Sequence, residues 1–563
     1  MAELELLILV DVLVAALAGG FIARLLRLPV ILGYLAGGMV VGPYGTGLVG
    51  IEELGQIETL AQVGVALLLF TLGMEFSLKT LKKMGRVAVL GGLAQILITT
   101  GLGFGIGLLL GWSLQEAVFF GFLISLSSTM IVIKLLMDRG EIDTAHGRVM
   151  IGILLVQDLA VVLMMALVPA FGEPGLAGAL GKAIITALVF LGAMAVLGLW
   201  VLPRFMRRVA AVRSRELFLL TIVGFCLAVA FGTYYFGISL ALGAFVAGVL
   251  ISESDYAYQA IAEVVPLRDI FATLFFVSLG MLIDLGFLVK HIGAVIAVVA
   301  AIAGGKFIIC SLIARIFGYT HKTALYTGAG LFQIGEFSFV LAAAALSAGV
   351  ISKDVYDLTL SSAVITILLT PLAMVTATIL YRKISQRERF AAILARRTDP
   401  QFSRGFQLSN HVVICGFDRI GRNLGDVLDQ RGFSYLVIDN DPKIIESLQA
   451  RKVPYIYGDA SNPEILSRAV LEKAKALVIT FHEPIGTELT VRNALAINPK
   501  LHIVARVHFD DEVTKLRDIG VAEMVRPDVE TSLEIVRHTL HRFGLTGTEI
   551  QYILTRLREE GLQ

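Results

Sequence analysis

The sequence predicts a polytopic α-helical membrane protein of about thirteen transmembrane helices, followed by a cytosolic α/β domain of Rossmann type. Three observations predict it. Of 563 residues, 56% are hydrophobic and only 17% charged, with a mean hydropathy of +0.80. Soluble domains do not carry that apolar excess. The charges are also unevenly spread: to about Tyr381 the chain reads as apolar runs with short charged gaps, and beyond it as an ordinary soluble protein. In that second stretch short apolar strands alternate with helical patterns. The domains are therefore expected at 1–381 (membrane), 382–409 (linker) and 410–563 (cytosolic). A net charge of +1 gives a nucleic-acid partner no electrostatic support. Cys226, Cys310 and Cys415 have neither disulfide nor metal-site spacing and read as structural thiols.

The thirteen candidate spans run over 4–23, 29–42, 57–76, 86–111, 115–137, 148–170, 178–202, 215–233, 237–252, 267–284, 289–316, 323–348 and 354–381. The first lacks a basic leader and carries Glu3 and Glu5, so it reads as a membrane helix and not as a cleaved signal. Loops on the side of the C-terminal domain hold sixteen cations: Arg24, Arg27, Lys79, Lys82, Lys83, Arg86, Arg139, Arg148, Arg204, Arg207, Arg208, Arg213, Arg215, Arg268, Arg315 and Lys322. The other side holds three, Lys182, Lys290 and Lys353. The bias puts the C-terminal domain in the cytosol of a bacterial inner membrane and, with an odd span count, the N-terminus outside.

Two spans are interrupted in corresponding places. Span 5 contains Ser125-Leu126-Ser127-Ser128-Thr129, and span 12 contains Gln333-Ile334-Gly335-Glu336-Phe337-Ser338. With spans 1–6 and 8–13 as inverted repeats and span 7 as linker, these are the paired broken helices that cross at the midplane. Backbone groups freed at such breaks must line protein or water, because lipid cannot satisfy them. Gly101, Gly103, Gly105 and Gly107 in span 4 read as helix packing.

Span 6 carries Asp158 at its centre, preceded by Gln157. An aspartate there costs roughly 2.5–3.5 kcal/mol on insertion scales, and such residues are functional by default. Ionised, it binds a monovalent cation; partly desolvated, its raised pKa lets it take a proton instead. A site holding either H⁺ or a cation is the minimum an antiporter needs. Gln157 offers a neutral oxygen, so one-for-one exchange leaves the charge of the site unchanged. Ser127, Ser128 and Thr129 can add oxygens. Lys306, a second buried charge, needs a partner, with Asp158 and Glu336 as candidates. Its roles as structural partner and as member of the proton cycle stay open. Glu336 is expected to gate or stabilise the crossover. Glu75 and Lys134, nearer the cytosolic ends of their spans, read as snorkelling or stabilising residues. A cation channel of the same architecture is the rival class, but a channel needs several ion sites along a pore, and the sequence shows one buried carboxylate and no carbonyl filter. Within exchangers, Na⁺ competes with K⁺.

The soluble stretch opens with a strand from His411 to Gly416, then Tyr435–Asp439, Pro454–Tyr457, Ala476–Thr480 and His502–Arg506. Helices between them imply a doubly wound parallel sheet. The turn Gly416-Phe417-Asp418-Arg419-Ile420-Gly421 matches G-x-G-x-x-G except that Asp418 replaces the middle glycine, which normally lets backbone approach a pyrophosphate. Arg419 and the helix N-terminus partly offset that charge. Asp439, 18 residues after Gly421, suits a ribose hydroxyl. No companion substrate domain lies in water, so a dehydrogenase, or any enzyme, is not expected. A degenerate fold serving only as a dimer scaffold is the alternative.

Taken together, Gln157-Asp158, Ser127-Ser128-Thr129 and Gln333 to Phe339 resemble the CPA2 monovalent cation/proton antiporters, and the Kef-type potassium efflux branch with its YbaL-like members in particular. Pro29 to Leu35 and Phe275 to Met281 also resemble segments of that family, and the C-terminal stretch resembles its RCK (TrkA-N) domain, with Gly458-Asp459-Ala460 on the adenine side. The resemblance implies K⁺ as substrate bound at Asp158, a thirteen-helix fold of core and dimerisation domains, homodimers in lipid, and elevator-like alternating access. It also implies control by an adenine nucleotide, AMP or NAD(H), and leaves room for an ancillary cytosolic regulator. Glutathione-gated members carry an acidic HALE-type loop between spans 9 and 10; here residues 254–263 lack it.

Overall fold

The structure, a computed structural model, describes residues 2–26, 30–50, 54–75, 87–142, 144–171, 202–212, 214–235, 240–252, 254, 256–283, 285–385, 408–481, 483–507, 510–521 and 523–560. All but the last residue of the expected span 178–202, most of the linker, and the loop cations Arg27, Lys79, Lys82, Lys83, Arg86, Lys182 and Arg213 lie outside them. The chain divides into two compact units. The first comprises residues 1–132, 151–310 and 330–372; the second comprises 133–150, 311–329 and 373–563.

The helices of the membrane stretch, in chain order, are α1 (Ala2–Leu25), α2 (Val30–Val41), α3 (Leu54–Glu75), α4 (Gly92–Leu109), α5 (Leu114–Ser125), α6 (Thr129–Asp138), α7 (Ala145–Phe171), α8 (Leu202–Ala211), α9 (Arg215–Tyr235), α10 (Leu240–Ser252), α11 (Ala257–Met281), α12 (Leu285–Lys290), α13 (Ile292–Ile316), α14 (His321–Leu331), α15 (Glu336–Ser347) and α16 (Lys353–Ser385). Among the described residues, seven stretches are long and apolar enough to span a membrane, eight if the bent pair α14–α15 counts as one. Val30–Val41, Leu60–Met74 and Gly243–Ser252 are shorter apolar helices. The helix α11 begins ten residues before the span expected at 267–284, so Arg268 sits inside a helix and not in a loop. Its guanidinium bonds Asp269, and Arg215 bonds Glu263 on the same helix, which lets the polar turns stay helical.

Small residues close the first unit. A Cβ on Gly19 would meet the Gly33 carbonyl at 2.0 Å, and one on Gly73 the Phe245 carbonyl at 2.2 Å, so α1–α2 and α3–α10 approach at backbone distance. Of the four glycines between 101 and 107 in α4, Gly103 and Gly107 meet α5 in this way, whereas Gly101 and Gly105 face open space.

The second unit holds a six-stranded parallel sheet of order β3-β2-β1-β4-β5-β6: β1 (His411–Cys415), β2 (Tyr435–Asp439), β3 (Tyr455–Tyr457), β4 (Ala474–Ile479), β5 (His502–Arg506) and β6 (Glu523–Val525). The connecting helices include α17 (Arg419–Gln430), α18 (Pro442–Arg451), α19 (Pro463–Ser467), α20 (Pro484–Ile497) and α21 (Asp510–Ile519). Strand alternation sends Val413, Cys415, Leu436, Ile438, Leu477 and Ile479 to one core, and Ile414, Val437, Tyr435 and Tyr455 to the other. Two final helices, α22 (Pro527–Arg542) and α23 (Gly547–Glu560), pack through Leu533, Ile550 and Leu554.

Candidate functional site

In the first unit the chain leaves helical geometry at residues 126–128 and 332–335, and the two breaks cross. Gly335 N donates to the Leu126 carbonyl at 3.1 Å. The Ser127 hydroxyl donates to Leu331 O at 2.8 Å, and the Ser338 hydroxyl to Leu123 O at 2.6 Å. A Cβ on Gly335 would lie 2.5 Å from the Ser127 carbonyl carbon, so this crossing requires glycine.

Asp158 on α7 is 4% exposed, and the Thr129 hydroxyl donates to its two oxygens at 3.1 and 2.9 Å. Since Thr129 opens α6, the positive end of that half-helix faces the carboxylate. The amide of Gln157 is held elsewhere: its Oε1 accepts from Ser127 N at 2.7 Å, and its Nε2 donates to Gln95 Oε1 at 2.6 Å. Ser128 accepts from Ile131 N and hydrogen bonds Glu336. All five expected ion-site residues therefore come together. Thr129 contacts Asp158, while Gln157, Ser127 and Ser128 serve the crossing.

Lys306 is fully buried, and its Nζ donates to Leu126 O at 2.9 Å and Gln333 O at 2.7 Å. The carboxylate partner expected for it is replaced by these carbonyls. Leu126 caps the C-terminus of α5 and Gln333 lies in the break after α14, so backbone carbonyls freed at the two breaks answer the ammonium. Glu336, 3% exposed at the first turn of α15, keeps its Oε2 without a hydrogen-bond partner among the described residues. Sequence reasoning passed over Gln95, although a polar side chain inside an apolar helix is itself a signal.

A cavity of about 360 Å³ in the same unit is lined by Gln62, Met165, Phe275, Ser278, Val340 and Tyr356, among others. Met165 follows Asp158 by seven residues, two turns along the same face of α7.

In the second unit the turn after β1 lies at the carboxyl end of the sheet, where ligands bind in doubly wound folds. Gly416 has φ +92°, and a Cβ on Gly421 would lie 2.2 Å from Gly416 O, so both glycines are required. Asp439 accepts from Phe417 N at 2.7 Å and Asp441 N at 2.8 Å, yet burial pushes its carboxyl up to about 7. Arg419 and Ile420 are exposed on the first turn of α17 and do not line the adjoining cavity. That cavity, of about 60 Å³, is lined by Gly416, Asp418, Asp439, Asp459, Arg148 and Arg506, among others. Arg148 contacts Asp418 at 3.4 Å and Asp441 at 2.7 Å. Arg506, at the end of β5, donates from Nη1 to Thr480 O at 3.4 Å and leaves its Nε without a hydrogen-bond partner among the described residues; it too was missed, its signal being its place at a strand's carboxyl end.

Asp459 does not face solvent. Burial alone would raise its pKa, but Lys322 at 3.3 Å and the Tyr381 hydroxyl at 2.6 Å hold it below the usual range. Lys322, expected in a loop, is 4% exposed and also pairs with Glu483 at 2.7 Å. Glu141, His146 and Glu483 lie close enough to share a metal ion, but Arg139 already bonds Glu141 and Lys322 already bonds Glu483. Burial would raise Glu141; His146 and Arg139 outweigh it and hold the carboxyl at about 2.

Crossed half-helices around a buried carboxylate, in a chain that also carries a doubly wound sheet, are the architecture of an ion-coupled membrane transporter with a Rossmann-type appendage. The sodium/hydrogen exchanger transmembrane family matches residues 12–377, and the TrkA-N domain family matches 412–527. The chain is 36% identical over 538 residues to the Escherichia coli protein named "Putative cation/proton antiporter YbaL", covering 93% of this chain and 96% of that one. It is 40% identical over 372 residues to K(+) efflux antiporter 4 of Arabidopsis thaliana, covering 65% of this chain and 62% of that protein. The sodium proton antiporter MjNhaP1 of Methanocaldococcus jannaschii shares the membrane fold, with a TM-score of 0.51 at 15% identity, over 66% of this chain and 99% of that one. The chain belongs to the sodium/hydrogen exchanger family, among its cation/proton and K⁺ efflux antiporters with a TrkA-N (RCK) domain; it is a transporter and not an enzyme.

Proposed function

We propose that this chain exchanges cytosolic K⁺ for external H⁺ at Asp158, electroneutrally and by alternating access, and that an adenine nucleotide in the RCK domain sets the rate. The observation that carries the reading is Asp158 beside Thr129 at the crossing of two broken helices. One carboxylate holds one K⁺ or one H⁺, and Gln157 adds no charge. Lys306 is answered by carbonyls and not by Asp158, so no second charge is released when Asp158 changes occupant. A cavity in the same unit is lined by Met165, two turns from Asp158 on the same face of α7. The chain acts as a homodimer in a bacterial inner membrane, N-terminus outside and RCK domain in the cytosol.

For the regulatory site, Asp439 would take the ribose, and Arg148 and Arg506 a phosphate. The cavity as it stands is far below the few hundred Å³ of a ligand pocket, and the Arg148–Asp418 pair lies across it. A phosphate at the turn competes with Asp418 for Arg148.

The test is proton flux in proteoliposomes driven by K⁺ or Na⁺ gradients with the membrane potential clamped. K⁺-driven flux that persists under the clamp is expected. Cation flux without proton coupling would make the protein a channel, and a preference for Na⁺ would change the substrate.

A further inference from the structure

We infer that Gln95 is a positioning residue of the ion site, and that it also enforces an amide at position 157; this rests on the exchange reading above. Gln95 is fully buried in α4, where an amide is costly unless every polar atom is paired. Its pairs have a forced direction. Ser127 N–H can only donate, so the oxygen of Gln157 must face it. The nitrogen of Gln157 then faces Gln95 Oε1 at 2.6 Å. The nitrogen of Gln95 in turn donates to the Ser125 carbonyl at 3.0 Å and to Thr99 Oγ1 at 3.1 Å. Ser125 ends α5, so its carbonyl is one of those a helix terminus leaves unpaired.

The relay therefore starts at Ser125 O and returns to Ser127 N, clamping both sides of the break with two amides. Thr129, two residues on, holds Asp158, which follows Gln157 directly. The two contacts are parallel rungs between the same pair of segments, and the clamp fixes the register of the second. A carboxylate at 157 would set an oxygen against Gln95 Oε1; rotating Gln95 to relieve that would set its oxygen against Ser125 O. The neutral charge of position 157 is thus a property of Gln95 as well.

The test uses the full chain in proteoliposomes. Gln95→Leu breaks the relay but leaves Asp158, so half-saturation for K⁺ rises about tenfold while the maximal rate falls less. Gln95→Glu is near wild type when its carboxyl is protonated, because it can then accept from Gln157 and donate to Ser125 O. It fails as that carboxyl ionises, adding an alkaline limb that the wild-type pH profile lacks. A merely structural glutamine would lower yield without adding that limb. A Gln95→Glu profile parallel to wild type, or an unchanged K⁺ half-saturation in Gln95→Leu, overturns the inference. Hydrogen exchange of the peptide covering 121–132 reads the clamp without any transport assay. Faster exchange in Gln95→Leu supports the clamp even where wild-type flux shows no K⁺–H⁺ coupling and the exchange reading itself fails; unchanged exchange overturns it.

Discussion

Asp158 brings an ionisable group into an apolar helix, and on the exchange proposal it is the group that changes occupant. Its neighbour Gln157 and the break residues Ser127 and Ser128 are occupied in holding the crossing. On that proposal, Asp158→Asn removes the exchanging group without removing the scaffold. Exchange in proteoliposomes should fall to background while the melting temperature holds within a few degrees; exchange that survives would move the ion site elsewhere. Lys306→Met has the opposite profile. It takes the ammonium from two buried carbonyls; Leu126 O keeps Gly335 N as a donor, but Gln333 O loses its charged donor at a cost of about 1–3 kcal/mol, so thermal stability should drop clearly. Any residual exchange should keep the wild-type pH midpoint, since Lys306 does not pair with Asp158. A shifted midpoint would return Lys306 to the proton cycle. These residues were legible as a set because charge and hydroxyl groups stand out in apolar sequence. Their partners were not: a carbonyl at a helix end carries no signature in side-chain identity, so Lys306 read as needing a carboxylate.

At the scale of elements, the breaks and the strands were the easiest features to read. Hydroxyl and glycine runs marked 126–128 and 332–335, and five of the six strands were foreseen within two residues at either end. The sixth, β6, is three residues long and alternates poorly, with Glu523 and Val525 exposed. The start of α11 was misplaced because paired charges inside a helix look like a loop. The turn between β1 and α17 yields a prediction about pH. Buried Asp439 has its pKa raised from 3.8 to about 7, so the folded domain binds more protons than the unfolded chain in that window. Stability from this group is fully present below about pH 4 and is lost as pH climbs through about 7. Glu141, held at about 2, acts oppositely but only below about pH 4.5, its ordinary value. Calorimetry of the full chain should therefore show the transition of the RCK domain falling between about pH 5 and 7.5. A transition that rises over that range would mean Asp439 stays ionised.

At the scale of the whole chain, Arg148 and Asp158 are carried by one helical segment, ten residues apart in sequence. The departure at Asp418 looked in the sequence like decay of a nucleotide motif. In the structure it is a partner for Arg148, and Arg148 also reaches Asp441, two residues from Asp439. A carboxylate that binds an arginine from the transporter's own helix is what a phosphate would have to replace. Asp418→Gly restores the motif and takes away the competitor together. Titration of the full-length protein in detergent should then show AMP or NADH binding about tenfold tighter than wild type, as expected for removing one charge-assisted contact from the competing state. Arg148→Ala in the Asp418→Gly background should give most of that gain back, because the phosphate loses its cation. Affinity unchanged by Asp418→Gly would mean that the turn receives no phosphate, and the fold at residues 408–560 would then be a scaffold whose glycines serve only its own packing.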